Sequence, residues 1–388
     1  MKKIIIVNNN MKVGGVQKSL YNLLWSIHGE YEITLLLFRA VGEYIHCLPA
    51  DVKVLEADSL FRYLGMSQGE CGGMDALKRG ALTVLCRVFG RGRVMKLLLA
   101  SQKRVPGEYD CAVAFLQNGN NKNFYGGVQD FVLDRITAKR KAAFLHCDYR
   151  NCGANHPMNN QLISRFDQIA ACSDGCRAAF VSVLPELETK CVTVNNCHRF
   201  DEIHALASED PVEYERGCRN IVMVSRLAHE KGIERALEAA AYAAGKGIPA
   251  ALHIVGSGPR ETFLREKAAE LKITDAVHFY GEQSNPYRYM KKADLFLLSS
   301  YHEASPLVID EAAGLGLPVL TTETTSSEDM VTRRGCGWVC ENTQEALNEM
   351  LTKVLGNPDM LHTVGAYLGG TVMDNALALE QFAKMIEG

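Results

Sequence analysis

Short apolar segments alternate with helix-like segments along the chain, and this alternation limits the possible fold more than any other feature of the sequence. Each apolar segment ends in a loop rich in Gly, Asn or Ser, and an amphipathic stretch follows the loop. Repeated strand–helix units predict parallel sheets joined by right-handed crossovers, and therefore doubly wound α/β domains. The expected strands cover residues 4–7, 32–38, 111–115, 141–146 and 168–171 in the first half, and residues 220–224, 251–255, 277–280, 295–298 and 318–321 in the second.

The length of the chain favours two such domains. Its 388 residues exceed the roughly 250–300 residues at which single hydrophobic cores stop growing. An acidic stretch near the middle separates one series of strand–helix units from the next. We expect a Rossmann-like first domain at residues 1–200, a similar second domain at residues 201–373, and a final helix at residues 374–388 that returns to the first domain. The carboxyl ends of both sheets would then face a central cleft, where ligands bind in open α/β sheets.

The composition argues against several classes of protein. A formal net charge of -3 does not suit nucleic-acid binding. The 13 cysteines form no pair of C-x-x-C motifs, so no metal site is expected, and an odd number of thiols fits a reducing compartment. The first apolar segment is too short for a signal peptide, and no apolar stretch is long enough to span a membrane. We therefore expect a cytoplasmic protein.

The loop and helix after the strand at residues 295–298 carry the residues best suited to bind a ligand. Ser305 is a favourable N-cap and Pro306 suits the first helical position, so a helix is expected to begin there. Amides at a helix start bind phosphate, and carboxylates accept hydrogen bonds from sugar hydroxyls. The arrangement therefore suits a glycosyl diphosphate. The amides could bind its phosphate, and Glu303 before the helix and Glu311 on it could bind its hydroxyls. The alternative is two structural or solvated glutamates.

Two further strand ends of the second half carry candidate residues. Ser225 and Arg226 follow one strand, with Lys231 a few residues on. Arginine and lysine together could neutralise a diphosphate leaving group without a metal, although two solvated basic residues are an equal alternative. Gly256 and Gly258 follow the next strand and permit close approach of the backbone. The third glycine of a dehydrogenase fingerprint is absent, which counts against NAD binding.

The first half offers weaker candidates at the ends of its strands. Gly14 and Gly15 follow the first strand and open a helix, so they could admit a phosphate or an acceptor, although a plain turn would look the same. His146 and Asp148 end the strand at residues 141–146 and would face the expected cleft. A histidine in such a place is more often structural than catalytic.

Taken in order, these motifs resemble the donor-site signature of the family-4 retaining glycosyltransferases, the group 1 glycosyltransferases of the GT-B fold. Glu303 and Glu311 have the E-x7-E spacing of that signature. The similarity extends over most of the chain and is weaker between residues 40 and 111. It runs through Gly14-Gly15, His146, Ser225-Arg226, Lys231-Gly232, Gly256-Ser257-Gly258-Pro259, Gly281 and Gly316-Leu317-Pro318-Val319.

The resemblance implies a role for each residue. Arg226 and Lys231 would hold the diphosphate and Glu311 the ribose, while Glu303 would hold the transferred sugar. His146 would lie near that sugar from the other domain. The implied donor-binding positions are Gly14, Gly15, Ser225, Gly256, Gly258, Gly281 beside the base, Ala304, Ser305, Pro306, Leu307 and Glu311.

The resemblance also implies the reaction. A sugar would move with retention of configuration from a nucleotide sugar, with a UDP-sugar favoured, to a glycan or lipid-linked acceptor in bacterial surface polysaccharide synthesis. No cofactor or divalent metal would be required, and the leaving phosphate would assist deprotonation of the acceptor. Ala304-Ser305 replaces a common glycine–aromatic pair, which leaves the donor sugar open. Gln17 and Cys197 are further departures, at positions where glutamate and proline are common.

Residues 78–104 carry eight basic residues and no Asp or Glu, interleaved with apolar residues. Such a segment can lie on an anionic membrane, which would place the enzyme at the inner face of the cell membrane beside a lipid-linked acceptor. An ordinary helix with a solvated basic face is an equal alternative.

Three other functions remain open at this point. A nucleotide-sugar epimerase would use the same fold without an acceptor. A non-catalytic GT-B partner subunit would have no need to retain all four of Arg226, Lys231, Glu303 and Glu311. A glycosidase could use the two carboxylates but would leave the two basic residues unexplained.

Overall fold

In the computed structural model, which describes residues 1–215 and 217–387, thirteen strands form two parallel sheets. Each sheet belongs to its own unit. One unit consists of Met1–His198 with Asn375–Gly388, and the other of Arg199–Asp374. The α/β class expected from the strand–helix alternation is confirmed.

The first unit has a seven-stranded sheet in the order β3-β2-β1-β4-β5-β6-β7. Its strands and helices are β1 (Lys2–Asn8), α1 (Gly15–Ile27), β2 (Tyr31–Leu37), β3 (Lys53–Glu56), α2 (Gly73–Phe89), α3 (Arg91–Ser101), β4 (Tyr109–Ala114), α4 (Val128–Arg135), β5 (Ala138–Leu145), α5 (Pro157–Ile163), β6 (Gln168–Ala171), α6 (Asp174–Val183) and β7 (Cys191–Thr193). Short 3-10 helices cover Glu43–Cys47, Leu60–Gly65, Gln68–Glu70 and Pro185–Lys190. The centre of β1 is buried on both faces, as expected where helices cover both sides of a parallel sheet.

The second unit has a six-stranded sheet in the order β10-β9-β8-β11-β12-β13. Its elements are α7 (Phe200–Ser208), β8 (Arg219–Val224), α8 (Ile233–Gly245), β9 (Ala250–Val255), α9 (Glu261–Glu270), β10 (Val277–Phe279), α10 (Tyr287–Met290), β11 (Leu295–Leu298), α11 (Leu307–Gly314), β12 (Val319–Thr322), β13 (Gly337–Cys340), α12 (Gln344–Leu355) and α13 (Pro358–Gly369). Single turns cover His229–Lys231, Thr274–Ala276 and, as a π-helix, Glu328–Thr332. In both units the strand order reverses beside the first strand, which is the doubly wound arrangement.

The last helix, α14 (Ala376–Glu387), packs on the first unit. Phe382 and Met385 are buried in the same apolar cluster as residues of α1, β1 and β2. Asn375, just before the helix, donates from Nδ2 to the carbonyl oxygen of His198 over 2.8 Å. The helix therefore completes the core of the unit in which the chain begins.

The basic segment at residues 78–104 forms two helices rather than one. Gly90 (φ 78°) ends α2 and precedes α3. Arg91, the next residue, is buried and pairs with Asp130, so one of the eight basic residues holds the first unit together instead of facing solvent. In the described part of the chain, no helix combines the length and the apolarity needed to cross a bilayer.

Candidate active site

The second sheet changes direction between β8 and β11, and this change positions the candidate site. At such a switch point the carboxyl ends of two neighbouring strands carry loops that serve opposite sides of the sheet, and ligands of open α/β sheets bind at this edge. The loop after β8 covers residues 225–232, and the loop after β11 covers residues 299–306. Together they carry Arg226, Lys231 and Glu303, three of the residues that the sequence singled out.

Hydrogen bonds to backbone carbonyl groups hold the two loops together. Ser299 donates from Oγ to the carbonyl oxygen of Gly232 over 2.8 Å, and the amide of Tyr301 donates to the carbonyl oxygen of Glu230 over 2.9 Å. Gly232 has φ 57°, and a Cβ atom there would lie 2.3 Å from the carbonyl oxygen of Ser299. Only glycine allows so close an approach, so this residue fixes the spacing of the loops.

Lys231 and Glu303, predicted separately from two motifs, meet in this structure. Lys231 Nζ lies 2.6 Å from Glu303 Oε1, and the side chains are 19% and 10% exposed. Ser300, which is fully buried, donates from Oγ to the same carboxylate oxygen over 2.7 Å. A cation, a carboxylate and a hydroxyl therefore converge at one point of the carboxyl edge of the sheet.

Arg226 lies in different surroundings. Its Nη2 atom is 2.7 Å from Glu230 Oε1, four residues on, and the side chains are 74% and 43% exposed. The guanidinium is thus accessible to a ligand, but it already has a carboxylate partner. Glu230 was not singled out by the sequence, although its spacing from Arg226 matches that of a common helical ion pair.

The glycines after β9 and β10 allow the neighbouring loops to pack on the loop after β8. A Cβ atom at Gly256 would lie 1.9 Å from the carbonyl oxygen of Ser225, and one at Gly258 would lie 2.5 Å from that of Leu227. The amide of Gly256 donates to the carbonyl oxygen of Gly281 over 2.7 Å. The predicted positions Ser225, Gly256, Gly258 and Gly281 are therefore neighbours along one edge of the sheet.

Helix α11 starts one residue later than predicted. Pro306 is the N-cap, with ψ 115°, and Leu307 is the first helical residue. Ser305 is therefore not the N-cap, and its Oγ lies 3.6 Å from Met330 Sδ. The prediction was wrong because Pro306 keeps an extended ψ and the Ser305 hydroxyl lies against the segment after β12. The first amides of α11 still have no acceptor within the helix, as in any α-helix.

The residues around this helix start differ in burial. Ser326 donates from Oγ to the carbonyl oxygen of Ala304, which ties the loop after β11 to the loop after β12. Glu311 lies on α11 and is only 1% exposed. Its neighbour Asp310 pairs with Arg334. Of the two glutamates of the E-x7-E motif, Glu303 is therefore partly accessible and Glu311 is buried.

The remaining predicted residues belong to the first unit. Gly14 precedes α1 as its N-cap and Gly15 is the first helical residue. His146 follows β5 directly, and its ring packs on Phe115 and Phe144 with centroid separations of 4.7 and 5.5 Å. Its Nε2 atom is buried and has no hydrogen-bond partner among the described residues.

The environment of His146 determines its charge. Burial lowers the pKa of this imidazole to about 4, against a smaller opposing effect of a hydrogen bond with the Phe115 backbone. The ring is therefore neutral at physiological pH. A neutral imidazole can exchange hydrogen bonds with a ligand but supplies no positive charge.

Ser300 is the main site residue that the sequence did not indicate. A serine three residues before Glu303 in a loop has no distinctive pattern, and its role depends on the turn of the loop after β11.

Among residues 1–215 and 217–387, no group of three or more His, Cys, Asp or Glu side chains is arranged to hold a metal ion.

Comparison with known proteins places the second unit in a family. Residues 214–368 match the family model described as Glycosyl transferases group 1. The lipopolysaccharide glucosyltransferase WaaG of Escherichia coli K12 is 34% identical over 133 residues, which are 32% of this chain and 34% of WaaG. The amylovoran biosynthesis glycosyltransferase AmsK of Erwinia amylovora is 29% identical over 179 residues, 43% of this chain and 44% of AmsK. The matches thus span less than half the length of these relatives.

Solved structures match the whole chain. Anabaena Alr3699/HepE in complex with UDP and glucose superposes with a TM-score of 0.69 at 16% identity, and the match covers 100% of both chains. TarM superposes with a TM-score of 0.67 at 12% identity and covers 100% of this chain and 99% of its own. At these identities the likeness establishes the fold, and the predicted GT-B architecture is confirmed.

Proposed function

The chain belongs to the group 1 glycosyltransferases of the GT-B fold, and from this premise we propose that it is a retaining glycosyltransferase. It transfers a hexosyl-type sugar from a nucleotide-sugar donor to a glycan or lipid-linked acceptor in bacterial surface polysaccharide synthesis. The observation that carries this proposal is the meeting of Lys231, Glu303 and Ser300 at the switch point of the second sheet. The polysaccharide setting follows the names of the relatives AmsK and WaaG.

The geometry supports a division of labour within the site. Lys231 and Arg226 bind the diphosphate, whose negative charge grows as the sugar–phosphate bond breaks. Glu303 accepts hydrogen bonds from sugar hydroxyls, with the amides at Ala304, Ser305 and Leu307 beside it. Because two cations are available for the leaving group, the proposal includes no divalent metal. The leaving phosphate takes the proton of the acceptor on the face from which it departs, which retains the anomeric configuration.

The other predicted positions keep their proposed roles. Gly256, Gly258 and Gly281 let the nucleotide approach the backbone, with Gly281 beside the base. Glu311, which is 1% exposed in the absence of a ligand, accepts a hydrogen bond from the ribose. UDP is the favoured nucleotide because the HepE structure contains UDP and glucose. Ser225 and Pro306 of the second unit, and Gly14, Gly15 and His146 of the first, keep the roles that the family resemblance implies.

The first test identifies the donor. The purified protein is incubated with a panel of UDP-, GDP-, ADP- and TDP-sugars, and release of nucleoside diphosphate is followed. We expect slow release from one donor and faster release when an acceptor is added, with the α or β linkage of the product matching that of the donor. Conversion of the donor to an epimer without any acceptor would instead identify an epimerase. Binding without release for the whole panel would identify a partner subunit.

The second test separates binding of the sugar from binding of the nucleotide. Glu303→Gln keeps the size of the side chain and removes its charge. We expect turnover to fall by about 100-fold, a typical effect for one group that stabilises a transition state, while the affinity for the free nucleoside diphosphate changes little. If nucleotide affinity fell as much as turnover, the role given to Glu303 would be wrong.

Helices α2 and α3 support a further part of the proposal, contact with a membrane. Four large apolar side chains on α2 follow one another at helical spacing and stay exposed: Met74 (65%), Leu77 (68%), Val84 (56%) and Val88 (66%). The basic residues Lys78 and Arg87 on the same helix are exposed beside them, as are Arg93 and Lys96 on α3. An apolar face flanked by cations suits the surface of an anionic bilayer, where each cation contributes about 1 kcal/mol.

Vesicle flotation tests this contact. We expect the protein to float with vesicles that contain phosphatidylglycerol and not with pure phosphatidylcholine. The double variant Val84→Asp/Val88→Asp should remain in solution. Val372→Asp is the matched control, because Val372 is 86% exposed in the second unit. Equal flotation of the wild type with both vesicle types would refute the proposed contact, and with it the location at the inner face of the cytoplasmic membrane.

A further inference from the structure

Two cysteines in the loop after β5 lie unusually close together. Cys147 Sγ and Cys152 Sγ are 2.8 Å apart. A tight turn holds them in place, because the amides of Asn151 and Cys152 both donate to the carbonyl oxygen of Asp148, over 3.1 and 3.0 Å. The Asp148 carboxylate adds an ion pair with Arg150 at 2.8 Å. The turn thus brings two residues five apart in sequence to within a short movement of a sulfur–sulfur bond.

The two thiols differ in accessibility. Cys152 is exposed, whereas Cys147 is buried. The hydrogen bond between them lowers the pKa of Cys152 and raises that of Cys147, and burial raises the pKa of Cys147 further. The accessible Cys152 sulfur is therefore the better nucleophile, and the buried Cys147 sulfur is close enough to attack it after it has reacted. This combination is typical of thiols that react and are then resolved by a neighbour.

We propose that Cys147 and Cys152 form a reversible thiol–disulfide site that reacts with low-molecular-weight disulfides. The Cys152 thiolate attacks one sulfur of the disulfide RSSR, forms a mixed disulfide and releases one RS⁻, which takes up a proton. The Cys147 thiol loses its proton and attacks Cys152 Sγ, which releases the second RS⁻ as RSH. The protein dithiol is oxidised by two electrons, and RSSR is reduced to two RSH.

A second pair of cysteines in the same unit provides a comparison. Cys172 follows β6 and Cys176 lies in the first turn of α6, with their Sγ atoms 3.8 Å apart. Their side chains are 2% and 1% exposed. A dissolved disulfide cannot reach either sulfur without opening of the fold, so this pair should remain reduced under conditions that oxidise the first.

The site has a consequence for activity that rests on the proposed function. Cys147 follows His146, which is proposed to lie near the transferred sugar. A disulfide would close a ring over residues 147–152 and change the position of the backbone at its first residue. We expect oxidation to lower transfer and to leave binding of the nucleoside diphosphate, which involves the second unit, unchanged.

The chemistry is tested on the full chain without any assay of transfer. The reduced protein is titrated with glutathione disulfide, quenched with acid and analysed by peptide mass spectrometry. We expect one disulfide between Cys147 and Cys152, fully reversed by dithiothreitol. Cys147→Ser should accumulate one glutathione on Cys152, and Cys152→Ser should form neither product at that position. Cys176→Ser, which removes one thiol of the buried pair, should behave as the wild type.

Two results would overturn the proposal. One is a wild-type protein in which both cysteines stay reduced, or carry separate glutathiones, across the titration. The other is loss of the Cys147–Cys152 disulfide in Cys176→Ser while its circular dichroism spectrum remains native. If the disulfide forms but transfer is unaffected, the chemistry stands and only its link to activity is refuted. Absence of transfer in the reduced protein would count against the proposed function instead.

Discussion

The loop after β8 contributes the cations of two ion pairs that have nearly equal lengths and opposite surroundings. Lys231 and Glu303 are 2.6 Å apart, and their side chains are 19% and 10% exposed. Arg226 and Glu230 are 2.7 Å apart, and theirs are 74% and 43% exposed. The two distances are nearly the same, but the exposed fractions of the side chains differ several-fold.

The difference shows how one loop can provide two kinds of cation. Water and salt screen the exposed pair, so it can open at little cost when an anion arrives. The shielded pair has lost much of its hydration, so removing one partner leaves a charge that nothing nearby compensates. We therefore infer that Arg226 is adaptable and that Lys231 is pre-organised. A fixed charge that needs no rearrangement during reaction contributes most to catalysis.

The largest effect is expected from Lys231→Ala. It removes the pre-organised cation, and we expect turnover to fall by roughly 100- to 1000-fold, the range seen when one transition-state contact is deleted. Affinity for the nucleoside diphosphate should fall as well, as measured by calorimetry. Lys267→Ala is the control, because Lys267 is 20% exposed and pairs with Glu238 over 3.1 Å. A similar loss in this control would mean that Lys231 acts through stability alone.

A double-mutant cycle on each pair tests the comparison directly. Unfolding by urea is measured for the two single Ala variants and the double Ala variant of each pair. We expect a coupling free energy of about 1–3 kcal/mol for Lys231–Glu303, and at most about 1 kcal/mol for Arg226–Glu230. Equal couplings would show that exposure does not separate the pairs.

The sequence predicted most of the fold because the central strands are continuous apolar segments. All ten predicted strands are present, although their ends differ by up to three residues. The three strands that were missed, β3, β7 and β13, lie at sheet edges. Edge strands are covered less completely, and β3 has no fully buried residue. The apolar pattern that reveals a strand is therefore weakest where burial is weakest.

The site could be predicted in part for a related reason. Residue types and strand ends placed Lys231 and Glu303 at one edge of one sheet, because the order of an α/β sheet brings such loops together. Their direct contact and the Ser300 hydroxyl depend on how the loop after β11 turns, which no local pattern encodes. The N-cap of α11 was predicted wrongly for a similar reason. Ser305 is a favourable N-cap residue, but its side chain contacts Met330 instead.

Arg226→Ala should have a smaller effect than Lys231→Ala. The exposed guanidinium interacts with the diphosphate through a screened contact, so we expect about a tenfold loss of affinity for the nucleoside diphosphate at low salt. This loss should shrink as sodium chloride is raised from about 20 to 500 mM, because the Debye length falls from above 20 Å to below 5 Å. Affinity measured across this range distinguishes the residues, since the loss caused by Lys231→Ala should depend less on salt. A loss that did not change with salt would place Arg226 in a shielded contact.

Glu230→Gln is expected to have the smallest effect, and its sign is informative. The substitution releases Arg226 from its partner and removes a negative charge near the proposed diphosphate position, so nucleoside diphosphate should bind slightly more tightly. We expect at most about a fivefold gain, since exposed ion pairs contribute about 0.2–1 kcal/mol. The gain should be smaller in an Arg226→Ala background, because no guanidinium is then released and only the loss of the negative charge remains. Weaker binding in Glu230→Gln would mean that Glu230 positions Arg226 for the ligand and does not compete with the ligand for Arg226. Arg226 would then be a fixed cation, not the adaptable one inferred from its exposure.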